Sequence, residues 1–142
     1  MIAIPAPTDL GEAIGVGVDT ADIADFEALP FDQNTPFYYR MFSTDEIAYC
    51  QSQAFAARHF AARFAAKEAA VKALSGVVQL GYWQVEVVRT SAGAPALRFW
   101  NHDRSGPAGE LNPYRSLVSL SHTDALATAF VVVYERSTHV CS

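Results

Sequence analysis

The sequence predicts an α+β domain in which an antiparallel β-sheet packs against one long helix. Residues 13–19 carry the small and β-branched side chains that are typical of a strand. Residues 54–75 repeat apolar side chains at helical spacing, and four strand patterns follow from residue 83 onward. This order of one strand, then helices, then four strands favours a sheet that is backed by the long helix.

The length and composition predict a single domain preceded by an arm. The chain has 142 residues, of which 51% are hydrophobic, and this is enough to form a real core. Residues 1–12 are proline-rich and lack periodicity, so we expect an N-terminal arm there. Residues 13–142 are predicted to form one domain.

The sequence also indicates in which cellular compartment the protein is found. No apolar run reaches the roughly 18–20 residues that a membrane helix needs, and the first residues do not resemble a secretory signal. Cys50 and Cys141 are isolated and match no metal-finger spacing. We therefore expect a cytoplasmic, reduced protein that has no membrane partner.

Two helix patterns follow the first strand. In residues 20–29, Thr20 is a candidate N-cap for a helix with an apolar stripe. Residues 30–37 contain two prolines and are predicted to break that helix. Residues 43–46 have the capping-box pattern S-T-D-E, which predicts a short helix running towards Cys50.

After the main helix, the pattern changes to strands. We assign them to residues 83–90, 94–100, 115–124 and 126–135, the first two joined as a hairpin. The last strand has a nearly continuous apolar run and is predicted to be fully buried. Residues 101–114 hold two glycines and two prolines, so we expect a loop there.

The charges are unevenly distributed. Residues 1–50 contain nine acidic side chains and one basic side chain, Arg40, whereas residues 58–72 contain four bases and one acid. The helix is therefore locally +3 in a chain of net charge −5. Duplex nucleic acid needs a broader basic surface, so we expect no nucleic-acid partner. A compact polyanion fits a concentrated positive charge of this kind. Alternatively, the bases could form ion pairs with acidic side chains elsewhere on the surface.

The position of the charges on the helix leaves two interpretations open. At about 100° per residue, Glu68 and Lys72 lie at the margin of the apolar stripe, and Lys67 projects from the stripe itself. In one interpretation, Glu68 and Lys72 form an exposed ion pair, and the Lys67 ammonium reaches water past the apolar surface. In the other, these charges are part of a binding site, because burial of an unpaired charge is costly.

Two further residues favour a binding site. Asp19 ends the first strand, and His122 lies in the strand-like segment SLSHTD. Asp19 and Glu68 would form an all-oxygen pair suited to Mg²⁺, which takes water and phosphate oxygens as its remaining ligands. Lys72 and His122 nearby would neutralise phosphate charge. Two alternatives are that Asp22 is the metal ligand and that His122 is an ordinary core or loop histidine.

These residues belong to segments that resemble a known family. The segments are GVGVDTADI (15–23), FSTDEI (42–47), RFAAKEAAVKAL (63–74) and SLSHTDALATAFVVV (119–133). In order and spacing they are similar to the 4'-phosphopantetheinyl transferases of the holo-[acyl-carrier-protein] synthase type. The resemblance covers about residues 14–135, and its most specific feature is G-x-G-x-D combined with F-A-A-K-E-A-x-x-K-A.

The resemblance implies a fold and a reaction. The fold would be that of the 4'-phosphopantetheinyl transferases. The reaction would move 4'-phosphopantetheine from coenzyme A (CoA) to a serine of an apo acyl carrier protein, with release of adenosine 3',5'-bisphosphate. The family members of this short type are homotrimers with CoA bound between subunits, so the resemblance also implies a homotrimer. The general base would be a metal-bound hydroxide, Glu68 or a water held by Asp19.

The resemblance also implies roles for individual residues. By match to the family motifs, Asp19 and Glu68 would hold Mg²⁺, and Glu68, Lys72 and His122 would be catalytic. Lys72 and His122 would contact the CoA phosphates. Arg63 and Lys67 are further candidates for CoA binding.

The sequence departs from the family pattern at two places. Many members have an arginine in the helix that follows the aspartate, which docks an acidic carrier, but residues 22–27 here are acidic and contain no base. Arg40, Arg58 or bases of a neighbouring subunit would have to replace it. The I-A-D-F sequence of this segment resembles that of a subgroup that modifies carrier domains of type I fatty-acid synthases. The loop at 101–114 replaces a helix that is common in the family.

Two other functions are possible for such a chain. The first is a non-catalytic homologue that binds CoA or a nucleotide. The second is a different Mg²⁺-dependent phosphotransferase, against which the sequence has no G-x-x-x-x-G-K-[ST] loop.

Overall fold

The computed structural model describes residues 11–136. The predicted arm at residues 1–12 lies outside this part apart from its last two residues, as does Cys141. The helices are α1 (Ile23–Glu27), α2 (Thr35–Met41), α3 (Thr44–Gln51) and α4 (Ala56–Ala73). The strands are β1 (Ala13–Asp22), β2 (Val85–Arg89), β3 (Pro95–Phe99), β4 (Tyr114–His122) and β5 (Leu126–Glu135).

The α+β class and the antiparallel pairing are confirmed, but the strands form two sheets. One sheet has three strands in the order β1-β5-β4, and the other is the β2-β3 hairpin. The outer edge of β2 is occupied by side chains: Lys67 donates to the carbonyl of Val85, and Glu46 accepts the amide of Val87 at 3.0 Å. Because these groups are already bonded, β2 forms no ladder with the larger sheet among the described residues.

Helix α4 packs very closely on β1. A Cβ atom at Gly17 would overlap the carbonyl oxygen of Ala69, and one at Gly15 would overlap that of Ala73. Two residues of a strand and four residues of a helix both span about 6–7 Å. The contact between β1 and α4 therefore repeats at this spacing, and residue numbers rise along β1 as they fall along α4. The next inward position on β1 is Asp19, which is thereby brought to the turn of α4 that contains Glu68.

Two predicted boundaries are wrong at the start of the chain. β1 continues to Asp22 because Thr20 and Asp22 pair with β5, so Thr20 lies in a strand and does not cap a helix. The predicted break at 30–37 does end α1, but its length is wrong, because α2 begins within it at Thr35 with Pro36 in the first turn. Proline is tolerated there because the amides of the first turn have no partner within the helix. The helix is held by its buried Tyr38.

The other predicted elements are closer to the structure. The capping box is present: Ser43 Oγ accepts the amide of Glu46 at 3.1 Å, and Glu46 Oε1 accepts the amide of Ser43 at 2.9 Å. Strand β5, predicted to be fully buried, has one buried face only, and Phe130 on the other face is 44% exposed. Within residues 11–136, no helix combines the length and apolar character needed to cross a membrane.

Candidate active site

The first group of charges lies where β1 meets α4. Asp19 Oδ2 is 3.0 Å from Lys72 Nζ, and Asp19 Oδ1 accepts the amide of Thr20 at 2.8 Å. Lys72 Nζ also lies 3.4 Å from the carbonyl oxygen of Val18. The partner of Lys72 is thus Asp19, across the helix–strand contact, and not Glu68 on its own helix. This result disfavours the interpretation of Glu68 and Lys72 as a free-standing surface pair.

Asp19 and Glu68 lie in one site, as the effect of Asp19 on the pKa of Glu68 shows. Partial burial and the negative charge of Asp19 raise the pKa of Glu68 to about 7, while Lys72 opposes this shift. Hydrogen bonding to Asp19 and its charge raise the pKa of Lys72. Asp19 Oδ2 is buried, and apart from its 3.0 Å ion pair with Lys72 it receives no hydrogen bond within residues 11–136. The site therefore has spare acceptor capacity and too much negative charge for a single ammonium.

These features fit a magnesium ion. Among the described residues, no cluster of three or more His, Cys, Asp and Glu side chains exists that could enclose a metal. Mg²⁺ is commonly bound by one or two carboxylates and takes water and substrate phosphate for the rest. Asp19 and Glu68 are such a pair. Asp22 is exposed and lies an odd number of residues along β1 from Asp19, on the other face of the sheet, so it does not join them.

A second group of charges lines a cavity of about 190 Å³ between α4, the β2-β3 hairpin and the end of β4. Its basic side chains are Arg58, His59, Arg63, Arg89 and His122. Burial and the nearby cations lower the pKa of His59. Because of its accumulated positive charge, the cavity is suited to a small anion.

Arg63 is the most informative residue of this cavity. It is 5% exposed, its guanidinium lies 4.2 Å from the centre of the Tyr49 ring, and Arg89 lies 5.0 Å from the same ring. Arg63 Nε is buried and finds no hydrogen-bond acceptor among the described residues. Arg58 differs, since it pairs with the exposed Asp124 at 3.3 Å. The buried guanidinium of Arg63 is thus available to a ligand.

The structure separates the predicted site residues into two places. Through the strand register, Asp19 pairs with Ala129 and His122 pairs with Ala127, so β5 lies between them. Both residues are on the sheet face that meets α4. They are separated by two strand spacings across the sheet and two residues along it, roughly 12 Å in all. His122 therefore belongs with Arg63 in the cavity and not with the carboxylates.

Lys67 belongs to neither place. Its side chain is completely buried, and its ammonium donates to Glu46 Oε1 at 2.7 Å and to the carbonyl of Val85. Burial lowers the pKa of Lys67, and the charge of Glu46 opposes the shift. The expectations that Lys67 reaches water and that it contacts CoA are wrong, because all of its surface is covered by the protein.

Three residues of the cavity were not predicted from the sequence: Tyr49, His59 and Arg89. A signal for His59 existed, since it lies beside Arg58 on the basic helix. Arg89 gave no signal, because its role depends on how the hairpin packs against α4.

Comparison with known proteins now decides the family. The model of the 4'-phosphopantetheinyl transferase superfamily matches residues 15–128. The chain belongs to this superfamily. It is 40% identical to the holo-[acyl-carrier-protein] synthase of Geobacter metallireducens over 121 residues, which cover 84% of the chain and 95% of the relative.

Solved structures of 4'-phosphopantetheinyl transferases confirm the fold. The acyl carrier protein synthase of Mycobacterium tuberculosis is 33% identical and matches with a TM-score of 0.65 over 87% of the chain and 99% of its own. A complex of the synthase of Chronobacterium ammoniagenes with CoA is 28% identical and matches with a TM-score of 0.70 over 89% of the chain and 100% of its own. The predicted family and fold are therefore confirmed.

Proposed function

We propose that this chain transfers 4'-phosphopantetheine from CoA to a serine of an apo acyl carrier protein and releases adenosine 3',5'-bisphosphate. The observation that carries the proposal is the carboxylate pair Asp19–Glu68 beside Lys72, in a member of the 4'-phosphopantetheinyl transferase superfamily. Relatives are named holo-[acyl-carrier-protein] synthase, and a solved relative is a complex with CoA.

In this proposal the carboxylate pair binds Mg²⁺ at the CoA pyrophosphate. When bound there, Mg²⁺ would neutralise charge on the phosphate that is attacked and on the leaving group. The largely exposed ammonium of Lys72, 3.0 Å from Asp19, would help to neutralise the same phosphate charge. Reactions of this kind depend mainly on positioning and charge stabilisation.

Glu68 also suits the role of proton acceptor. A general base must be ionised to accept a proton. The pKa of Glu68 is about 7 in the metal-free protein, and a bound Mg²⁺ would lower it, so the carboxylate would be ionised at neutral pH. The serine hydroxyl of the carrier would lose its proton to Glu68 as the new phosphodiester bond forms, while the bond to the leaving nucleotide phosphate breaks.

The cationic cavity is proposed to take the second anionic end of CoA, its 3'-phosphate. Arg63 supplies a buried guanidinium with a free Nε, and Arg58, Arg89, His59 and His122 surround it. Because the cavity and the carboxylate pair lie on either side of β5, a ligand with separated phosphates could occupy both places. His122 is thereby assigned to CoA binding.

We further propose that the chain is a homotrimer. The outer face of the three-stranded sheet has exposed apolar side chains, with Val16 58%, Leu117 52%, Val18 50% and Phe130 44% exposed. Contiguous apolar patches of this kind are commonly covered by a partner. A further copy of the chain would bury this face.

The carrier partner is proposed to be one whose docking surface is not strongly acidic. Asp22, Asp25 and Glu27, at and beyond the end of β1, are exposed and would repel an acidic carrier. A carrier domain of a type I fatty-acid synthase is one candidate. A cytoplasmic location is part of the same proposal, and the free thiol of the buried Cys50 is consistent with a reducing compartment.

The test is incubation of the protein with CoA, Mg²⁺ and a panel of apo carriers, followed by measurement of intact carrier mass. The panel contains free carrier proteins and a carrier domain of a type I synthase. A mass gain of one phosphopantetheinyl group, absent when the acceptor serine is replaced by alanine, is the expected result. CoA binding by calorimetry without transfer to any carrier would instead support the non-catalytic binding protein.

A further inference from the structure

The packing surface of α4 is unusually smooth. Its buried positions include seven alanines, Ala61, Ala62, Ala65, Ala66, Ala69, Ala70 and Ala73. Two of these alanines, Ala73 and Ala69, meet Gly15 and Gly17 of β1, which have no side chains. Close packing fixes the distance between helix and strand, but small side chains interlock little and so resist sliding and rotation weakly. The rings of Phe60 and Phe64 pack against Tyr38 and Phe26 in the first half of the helix, and directional bonds can fix its register further.

The buried ion pair Lys67–Glu46 provides directional bonds at this helix. Glu46 Oε1 accepts from Lys67 at 2.7 Å and from the amide of Ser43 at 2.9 Å, and Glu46 Oε2 accepts the amide of Val87 at 3.0 Å. The Lys67 ammonium also donates to the carbonyl of Val85. The pair thus joins α4 to α3 and to the outer edge of β2.

The same network extends into the hairpin. Ser43 Oγ donates to Glu86 Oε2 at 2.6 Å, and Glu86 Oε1 accepts from Trp100 Nε1 at 3.1 Å. Glu86 is 5% exposed, so these bonds are shielded from water. Arg89, which lines the cationic cavity, lies three residues beyond Glu86 in β2. The network therefore also helps to position the hairpin side of that cavity.

We propose that the Lys67–Glu46 pair is a positioning device that fixes the register of α4, so that one helix serves both charged sites at once. Glu68 follows Lys67 directly and faces Asp19, whereas Arg63 precedes Lys67 by one turn and faces Arg89 across Tyr49. A slip or rotation of α4 would misplace both ends of the ligand. The inference rests on the proposed function for its ligand, and it assigns Lys67 a role without ligand contact.

The alternative is that the Lys67–Glu46 pair only stabilises the fold. The effects of substitutions on stability and on ligand binding distinguish this role from a positioning role. Replacing a buried ion pair by uncharged residues of similar size is often neutral for stability, whereas removing one partner is strongly destabilising. The double variant Lys67→Met/Glu46→Gln keeps the volume and removes the link between Lys67 and Glu46. Because a glutamine has one accepting oxygen where two carboxylate oxygens now accept the amides of Ser43 and Val87, the variant also gives up one of these bonds, and the carbonyl of Val85 loses its donor. A structural role predicts normal ligand binding in this variant, and a positioning role predicts impaired binding.

The experiment measures register and binding separately. Ring contacts of Phe64 report register, because its centroid lies 5.7 Å from that of Phe26 and 5.8 Å from that of Tyr82. They are measured by nuclear Overhauser effects on the unliganded protein. CoA affinity is measured by calorimetry without added metal, and KM and kcat are measured in the transfer assay. Val133→Ala, a buried change on β5, serves as the control for lost stability.

In the double variant we expect the Phe64 contacts to weaken or split, and the Kd for CoA to rise about tenfold or more, with KM rising in parallel. Retention of both the ring contacts and the CoA affinity would overturn the proposal, as would an equal rise in Kd in Val133→Ala. If the double variant does not fold, Glu46→Gln alone, which keeps an acceptor for Lys67, must show the same changes to a smaller degree. Failure of the wild type to bind CoA would overturn the proposed function, while the ring contacts would still decide the register.

Discussion

Lys67 and Lys72 lie five residues apart on α4, yet they occupy opposite environments. Lys67 is fully buried against Glu46, and burial lowers its pKa. Lys72 has a side chain that is 58% exposed, and Asp19 raises its pKa. Five residues turn a helix by about 500°, or 140° net, so the two ammonium groups point to different neighbours.

This difference shows what each lysine can do. The Lys67 ammonium has its donors bound within the protein, and no part of it reaches a ligand. The Lys72 ammonium is held by one carboxylate at the surface and remains free to approach an anion. One lysine therefore stabilises and positions, and the other is suited to binding.

The largest effect is expected from Glu68→Gln, which removes the charge of one of the two proposed Mg²⁺ ligands beside Lys72. Transfer to the carrier should fall by on the order of 1,000-fold, since the amide is a poor ligand for Mg²⁺ and cannot accept the serine proton. Intact-mass kinetics measure the loss, and circular dichroism checks the fold. Glu110→Gln is the matched control, because it makes the same change at an exposed acid that belongs to neither charged site. Full activity of Glu68→Gln would exclude both proposed roles.

The single variant Lys67→Met should mainly affect stability. It leaves Glu46 buried without its cation, which costs about 3–5 kcal/mol in free energy of unfolding. Denaturant unfolding measures this value. Arg98→Gln is the control, since Arg98 is 58% exposed and lies 3.9 Å from Glu86, too loose a pair to matter much. Unchanged stability in Lys67→Met would remove the contrast between the two lysines.

Lys72→Met should show the reverse behaviour. The melting temperature should change little, because the side chain is largely exposed. Transfer should fall by roughly 10- to 100-fold, since charge at the phosphates is less well neutralised. The same unfolding and mass measurements apply. A variant that loses stability but keeps its rate would reverse the assignment of the two lysines.

The smallest effect is a dependence on pH. The pKa of Glu68 is raised from 4.5 to about 7, so between these values the folded protein holds a proton that the unfolded chain has released. The stability of the metal-free protein should therefore fall as pH rises through this window, by the linkage of proton binding to folding. Mg²⁺ affinity should rise over the same range and level off above about pH 7. Thermal scans and calorimetry check both trends, and Glu68→Gln should lack them.

Much of the fold was predictable because its signals are local. The alanine-rich helix and the capping box at Ser43 and Glu46 depend on residues within a few positions of each other. The prediction failed where pairing across the chain decided the outcome. Thr20 had the features of a helix cap, but pairing with Thr128 kept it in β1. The α2 helix was not predicted because Pro36 is typical of a helix break. The helix is stabilised by the burial of Tyr38, which the sequence does not show.

The sequence by itself determined the family and the α+β class, and it supplied the residues of the proposed magnesium and phosphate site, because motif spacing and periodicity are written in the chain. It could not determine which of those charges are free to act. Only the tertiary structure placed Lys67 against Glu46, divided His122 from Asp19 by the width of β5, and brought Arg89 to Tyr49 beside Arg63. The physical reason is that exposure, pKa and distance depend on neighbours remote in sequence, and a helical pattern records the direction of a side chain but not what it meets.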